Sequence, residues 1–151
     1  MKKSIKIFMG LIAGVLLSFA TSSCSKDEIN ENNIEGKWQS TSASYKVYEA
    51  DKLVSEESEA CIDWYLGFYF KSDGTGQVIK YENGEPDTYQ MTWVIMGEKL
   101  MVKLSFGEES QTVTYDIVEI KSDSMALSET YEYTLNGVQC KEVETYYFNK
   151  I

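Results

Sequence analysis

Residues 62–70, Ile-Asp-Trp-Tyr-Leu-Gly-Phe-Tyr-Phe, set an apolar side chain at every second position: Ile62, Trp64, Leu66, Phe68 and Phe70 alternate with Asp63, Tyr65, Gly67 and Tyr69. Period two belongs to a strand with one face in a core, because successive side chains leave a strand on opposite sides. The same spacing recurs downstream. Tyr89, Met91, Trp93 and Ile95 follow it, as do Leu100, Val102, Leu104 and Phe106. Weaker runs cover 78–81, 112–120, 125–133 and 143–148, all rich in strand formers. No long segment carries a helical period, so an all-β domain is expected.

Between these runs lies turn chemistry. Ser72-Asp73-Gly74, Asn83-Gly84, Gly97-Glu98-Lys99, Gly107-Glu108-Glu109, Lys121-Ser122-Asp123 and Asn136-Gly137 each separate two runs. Short turns imply antiparallel neighbours. The expectation is a single small antiparallel eight-stranded up-and-down barrel, whose first and last strands pair to remove both open edges. The only proline, Pro86, is expected in a connection over 83–87, where no ladder bond is required.

Two motifs carry a resemblance. Gly36-Lys37-Trp38 opens the first expected strand, and Phe70-Lys71-Ser72-Asp73-Gly74-Thr75-Gly76 spans the second hairpin. The tripeptide resembles the Gly-X-Trp signature of lipocalins, and residues 34–150 resemble the lipocalin-like domain of small bacterial lipoproteins. Physically, a glycine admits close packing where the chain enters the barrel, and the tryptophan two residues on can plug the closed end. In lipocalins an arginine from the last strand covers that ring. This chain contains no arginine, so the partner is either missing or replaced by Lys150 as a cation–π donor.

The N-terminus reads as a secretory signal: Lys2 and Lys3, an apolar run over 5–20, then Thr21-Ser22-Ser23-Cys24. The run is shorter than the roughly 20 apolar residues that span a bilayer. A cysteine after three small residues resembles the lipobox of bacterial lipoproteins, in which that cysteine is acylated. Thr21 departs from the branched apolar residue usual at its place, and an ordinary cut around residues 20–22 is the alternative. The charged run Ser25-Lys26-Asp27-Glu28 resembles the export tag of outer-membrane lipoproteins; read without the resemblance, 25–33 (SKDEINENN) is a solvated tether. The expected organisation is thus a lipoprotein signal peptide over 1–23, a flexible tether over 24–33 and a barrel domain over 34–151. Localisation is expected to be the cell envelope, as an outer-membrane lipoprotein anchored through Cys24, on a face the sequence leaves open.

Removing residues 1–23 leaves 128 residues, the size of one domain, with eleven lysines against 24 acids and a net charge of −13. Such acidity disfavours nucleic acids and anionic lipid head groups as partners. There is no histidine, which removes the commonest general base and metal ligand together with histidine-dependent triads. No phosphate-binding glycine loop or zinc spacing appears. Glu56, Glu57, Glu59 and Asp63 form the densest acidic cluster, in what reads as a solvated connection. A non-enzymatic protein without cofactor or metal is expected. With Cys24 acylated, Cys61 and Cys140 remain as a candidate structural disulfide, placed by the meander at one end of the barrel.

Two functions follow. In the first, the barrel binds a small apolar or amphipathic ligand, as the resemblance implies, with residues 49–60 (EADKLVSEESEA) as the lid loop. Inward candidates, for a cavity or a core, are Trp38, Trp64, Leu66, Phe68, Met91, Trp93, Val102, Leu104 and Tyr115. An eight-stranded interior is just wide enough for side chains to fill, so a solid barrel stands beside the cavity. In the second, the domain is a surface adhesion, assembly or glycan-binding module that uses outward tyrosines, with Tyr65, Tyr69, Tyr131, Tyr133 and Tyr146 as candidates.

Overall fold

The computed structural model describes Ile29 and residues 31–151. The signal segment, Cys24 and the tether up to residue 28 lie outside the described residues. A single helical turn, α1 (Glu31–Ile34), precedes nine strands: β1 (Gly36–Glu49), β2 (Lys52–Ala60), β3 (Trp64–Phe70), β4 (Thr75–Glu82), β5 (Glu85–Met96), β6 (Lys99–Phe106), β7 (Glu109–Ile120), β8 (Ser124–Leu135) and β9 (Val138–Lys150). All neighbours are antiparallel in the order β2-β1-β3-β4-β5-β6-β7-β8-β9, and β1 also pairs with β9. β1 and β3–β9 thus close an eight-stranded barrel, and β2 is a ninth strand outside the circle.

That ninth strand corrects the expected lid loop. Ala50 and Asp51 both take positive φ (47° and 63°), the conformation of a two-residue hairpin turn, and residues 52–60 fold back along β1. β2 carries no hydrophobic alternation because neither of its faces enters the barrel core: Leu53 and Val54 are about half exposed. Ile62, expected to share the buried stripe of residues 62–70, is 83% exposed and precedes β3. Pro86 likewise lies within β5, opposite Tyr81, and the connection before it is only Asn83-Gly84. Glu82 and Glu85 close that hairpin, so the nitrogen of residue 86 faces away from β4; β6 joins β5 only from Gln90 onward.

β1 changes partner halfway along. Gly36 to Gln39 pair with β3, and Ser42 to Glu49 pair with β2 on the same side. At the handover Ser40, 1% exposed, accepts a hydrogen bond from the Leu66 N–H through Oγ (2.8 Å), which satisfies both groups where the ladder stops. β9 follows β1 along its whole length, with one register shift between Ser40 and Ser42. The upper halves of β2, β1, β9 and β8 therefore continue past the β1–β3 seam as a four-stranded sheet. On the other side of this extension β7 pairs with β8 only up to Ser128.

The barrel floor is built around Gly36-Lys37-Trp38. Trp38 is 1% exposed, its indole Nε1 donates to the Ile34 carbonyl (2.7 Å), and Ile34 is itself fully buried. Lys150 Nζ stands 5.1 Å over the Trp38 ring and donates to the Asn33 carbonyl (3.5 Å). Lysine thus occupies the covering position that the sequence offered it. Gly36 has φ of 120°, a conformation that favours glycine, and a Cβ there would lie 2.7 Å from Lys150 Cε and would push that side chain from its place.

Candidate functional site

The candidate inward residues do come together, and they fill the barrel. Trp38, Phe68, Met91, Val102, Leu104 and Tyr115 are all at least 93% buried in one cluster with Phe70, Leu100, Ile117, Leu127, Tyr146 and Phe148. Phe68 touches Phe70, Tyr115 and Phe148 with ring centroids 5.1, 5.9 and 5.5 Å apart. Trp64 and Leu66 pack partly exposed against this cluster, Trp64 edge-on to Tyr146 at 6.4 Å. Trp93 packs on Phe70 and donates from Nε1 to the carbonyls of Lys71 (3.2 Å) and Thr75 (3.1 Å), which ties its ring to the turn below. The lower barrel is therefore a solid core rather than a pocket, as the dimensions of eight strands allow.

Above Tyr115 and Tyr146 the inward positions change character. Along β9 the parity of Phe148 and Tyr146 continues to Glu144, Glu142 and Cys140; along β8 that of Met125 and Leu127 continues to Glu129, Tyr131 and Tyr133. Across the ladders Glu129 faces Glu144, Tyr131 faces Glu142, Tyr45 faces Glu144, and Glu57 of β2 faces Tyr45. Residues directly opposite share a face, so the extension has a concave surface of glutamates and tyrosines. Apart from Lys52 at the hairpin tip, which pairs with Glu49, no lysine occupies an inward register position on the four strands of the extension. A shallow cleft of about 70 Å³ runs along it, lined by Ala43, Ser44, Tyr45, Glu57, Ser58, Glu59 and Glu144.

Burial dominates the electrostatics. It raises the Glu129 carboxyl to about 7, with a smaller contribution from Glu144 and a partly opposing hydrogen bond from Tyr131. Burial also raises Glu144, 9% exposed, against the hydrogen bond it takes from Tyr146. Tyr133 is pushed up to about 12, chiefly by its hydrogen bond to Glu142 Oε1 (2.6 Å). Tyr45, Tyr131 and Tyr146 are all raised, by burial first and by the neighbouring glutamates next. The tyrosines are thus held as neutral donors facing carboxylates. This surface presents aromatic rings and acceptors together, which suits a ligand with an apolar body and hydrogen-bond-donating or cationic groups.

Several expectations are corrected here. Tyr131, Tyr133 and Tyr146 point inward, and Tyr146 is 2% exposed; of the proposed outward tyrosines only Tyr65 and Tyr69 lie on the barrel exterior. There Tyr65 stacks on Tyr81 at 5.0 Å, and Lys37 and Lys71 approach the Tyr69 ring. Glu56, Glu57 and Glu59 lie on β2 rather than in a loop, with Glu56 paired to Lys46 Nζ at 3.1 Å on the outer side. Among the described residues no group of three or more acids or cysteines is placed to hold a metal ion.

Cys61 and Cys140 are free thiols. The Cys61 N–H donates to the Thr41 carbonyl (2.9 Å) and its Sγ lies 3.3 Å from Ser40 Oγ, whereas Cys140 pairs with Glu49. Thr41 and Glu49 are separated by eight residues of β1, roughly 26 Å at about 3.3 Å per residue, while a disulfide requires Cα atoms within about 7 Å. The meander was expected to place both at one barrel end; the hairpin extension carries Cys140 far above Cys61.

No protein-family model matches the chain, and no curated protein matches it. Solved structures do. A lipocalin-like protein from Bacteroides uniformis aligns over 79% of this chain and 99% of its own at 17% identity with a TM-score of 0.47. An uncharacterized protein from Bacteroides eggerthii aligns over 78% and 98% at 14% identity with a TM-score of 0.45. Insecticyanin from the tobacco hornworm Manduca sexta aligns over 87% of this chain and 69% of its own at 7% identity with a TM-score of 0.59. Identities this low speak to architecture alone, and the architecture is a lipocalin-like closed antiparallel barrel of eight strands with one strand added.

Proposed function

We propose that this chain is a non-enzymatic, lipid-anchored envelope protein whose barrel mouth binds a small amphipathic ligand with a cationic or donor-rich end. The observation that carries this reading is the change of interior character along β8 and β9, from a packed apolar floor to a concave surface of Glu129, Glu142, Glu144, Tyr45, Tyr131 and Tyr133. A wholly apolar ligand enclosed inside the barrel is disfavoured, since side chains already occupy that space. The cleft is also smaller than the roughly 300 Å³ at which enclosing small-molecule pockets begin. A ligand would therefore lie across the mouth, its body on tyrosine rings and its charged end among carboxylates.

The test compares two fluorescent amphipaths that differ in head-group sign, a dansyl alkylamine and a dansyl fatty acid. The amine is expected to bind more tightly, and Tyr131→Ala or Glu144→Gln should each weaken it by about tenfold, the effect of one cation–π contact or charge-assisted hydrogen bond. Equal affinity for both probes, unchanged in the variants, would reject the mouth as the site. A second reading, a surface module, draws on the solid core and the half-buried Tyr65–Tyr81 stack on the barrel exterior; glycan binding lost in Tyr81→Ala would favour it.

Anchoring rests on the lipobox resemblance around Cys24. Cys24→Ser is expected to move the protein from the detergent-extracted membrane fraction to the soluble fraction. Identical partition of variant and parent would exclude acylation at that residue.

A further inference from the structure

The four-stranded extension leaves one strand edge uncovered. β2 terminates the strand order, and no described strand pairs with its outer side. Because the Cys61 N–H is turned toward Thr41 and amide direction alternates along an antiparallel strand, Glu59, Glu57 and Ser55 also turn their amides toward β1. Ala60, Ser58 and Glu56 turn theirs outward. An edge with unpaired amides and carbonyls is a template for another strand.

We propose that the outer edge of β2 docks an extended, basic segment of a partner polypeptide as an additional strand. Charge complementarity selects that occupant. Glu57 and Glu59 sit on the concave side of the edge strand, backed by Glu144 and Glu142 on the next strand but one, with no lysine at an inward position between Ser42 and Val47 or opposite them. An incoming strand places alternate side chains beside Glu57 and Glu59, where lysine or arginine is favoured and a carboxylate opposed. A second copy of this chain is a poor occupant: β2 against β2 would set these same glutamates against one another. The register shift between Val47 and Tyr48 breaks the regular edge near the hairpin tip, so the docking length is the stretch from Ser55 to Ala60.

The probe is a fluorescein-labelled nine-residue peptide of alternating lysine and valine, titrated by anisotropy against the full chain. A glutamate–valine peptide and a lysine–valine peptide with alternate backbone nitrogens methylated serve as comparisons. The lysine peptide is expected to bind, the glutamate peptide not, and N-methylation to weaken binding at least tenfold. Ser58→Pro removes an outward amide while sparing the ladder to β1 and should weaken the lysine peptide to a similar degree. Absence of binding by the lysine peptide overturns the proposal. Equal binding of methylated and unmethylated peptides also overturns it, because attraction would then be electrostatic adsorption without strand pairing. Should Ser58→Pro lose its circular-dichroism strand signal, the methylated peptide on the parent chain decides between strand pairing and adsorption.

Discussion

Trp38→Ala is expected to lower the unfolding free energy by about 3 to 5 kcal/mol, the range for truncating a buried large aromatic. Three consequences fall together at this position. The floor of the barrel loses a ring that is 1% exposed, the buried carbonyl of Ile34 loses its indole donor, and Lys150 loses the aromatic face it covers. Little else can collapse into the space, because β1, β9 and α1 are fixed around it by the ladder and by Gly36. Urea unfolding of the variant measures the loss. Trp93→Ala supplies the contrast: its ring is partly exposed and its Nε1 partners are carbonyls of a turn at the surface, so a smaller loss is expected. A loss at Trp38 below about 1 kcal/mol would reject the floor role.

The closed barrel was legible because its signals are local and repeated. Alternation in residues 64–70, 89–95 and 100–106 reports one buried face, and asparagine–glycine pairs at 83–84 and 136–137 adopt the positive φ that tight hairpins demand (58° and 90°, 51° and 80°). Gly36, Trp38 and Lys150 were likewise readable, since their relation depends on the two ends of the barrel strands meeting. β2 was not readable. A strand with both faces outside the core has no hydrophobic alternation, and its turn, Ala50-Asp51, lacks glycine. The acidic mouth was hidden for a different reason. Glu129, Glu142 and Glu144 look like solvated surface residues until they are counted in step with Leu127 and Tyr146, whereupon parity sends them inward. Counting parity past the end of each apolar stripe would have found them. The cysteines failed because strand order gives which neighbours meet but not how far each strand rises.

Glu129→Gln is expected to flatten the pH dependence of stability between pH 5 and pH 8 by on the order of 3 kcal/mol, from about 1.36 kcal/mol per pKa unit. The native carboxyl titrates at about 7 instead of the ordinary 4.5, mainly because burial penalises the anion. The folded state therefore binds this proton more tightly than the unfolded chain does. Its stabilising contribution is complete below the unfolded value, declines as the pH rises, and is lost above about 7. Glutamine keeps the shape of the neutral acid without the titration, so the variant should match the parent near pH 4.5 and exceed it at pH 8. The groups that face this carboxyl act in known directions: Glu144 across the ladder opposes the anion, Tyr131 donates to it, and Tyr115 lies beneath with its own phenol raised by burial. Glu144 is raised too, so the two acids titrate as a pair, and the parent's curve reports both protons. Urea midpoints at five pH values for parent and variant are sufficient. Parallel curves for parent and Glu129→Gln would mean that water or a neighbouring donor solvates this carboxylate, so that it stays ionised at neutral pH and burial does not govern its titration.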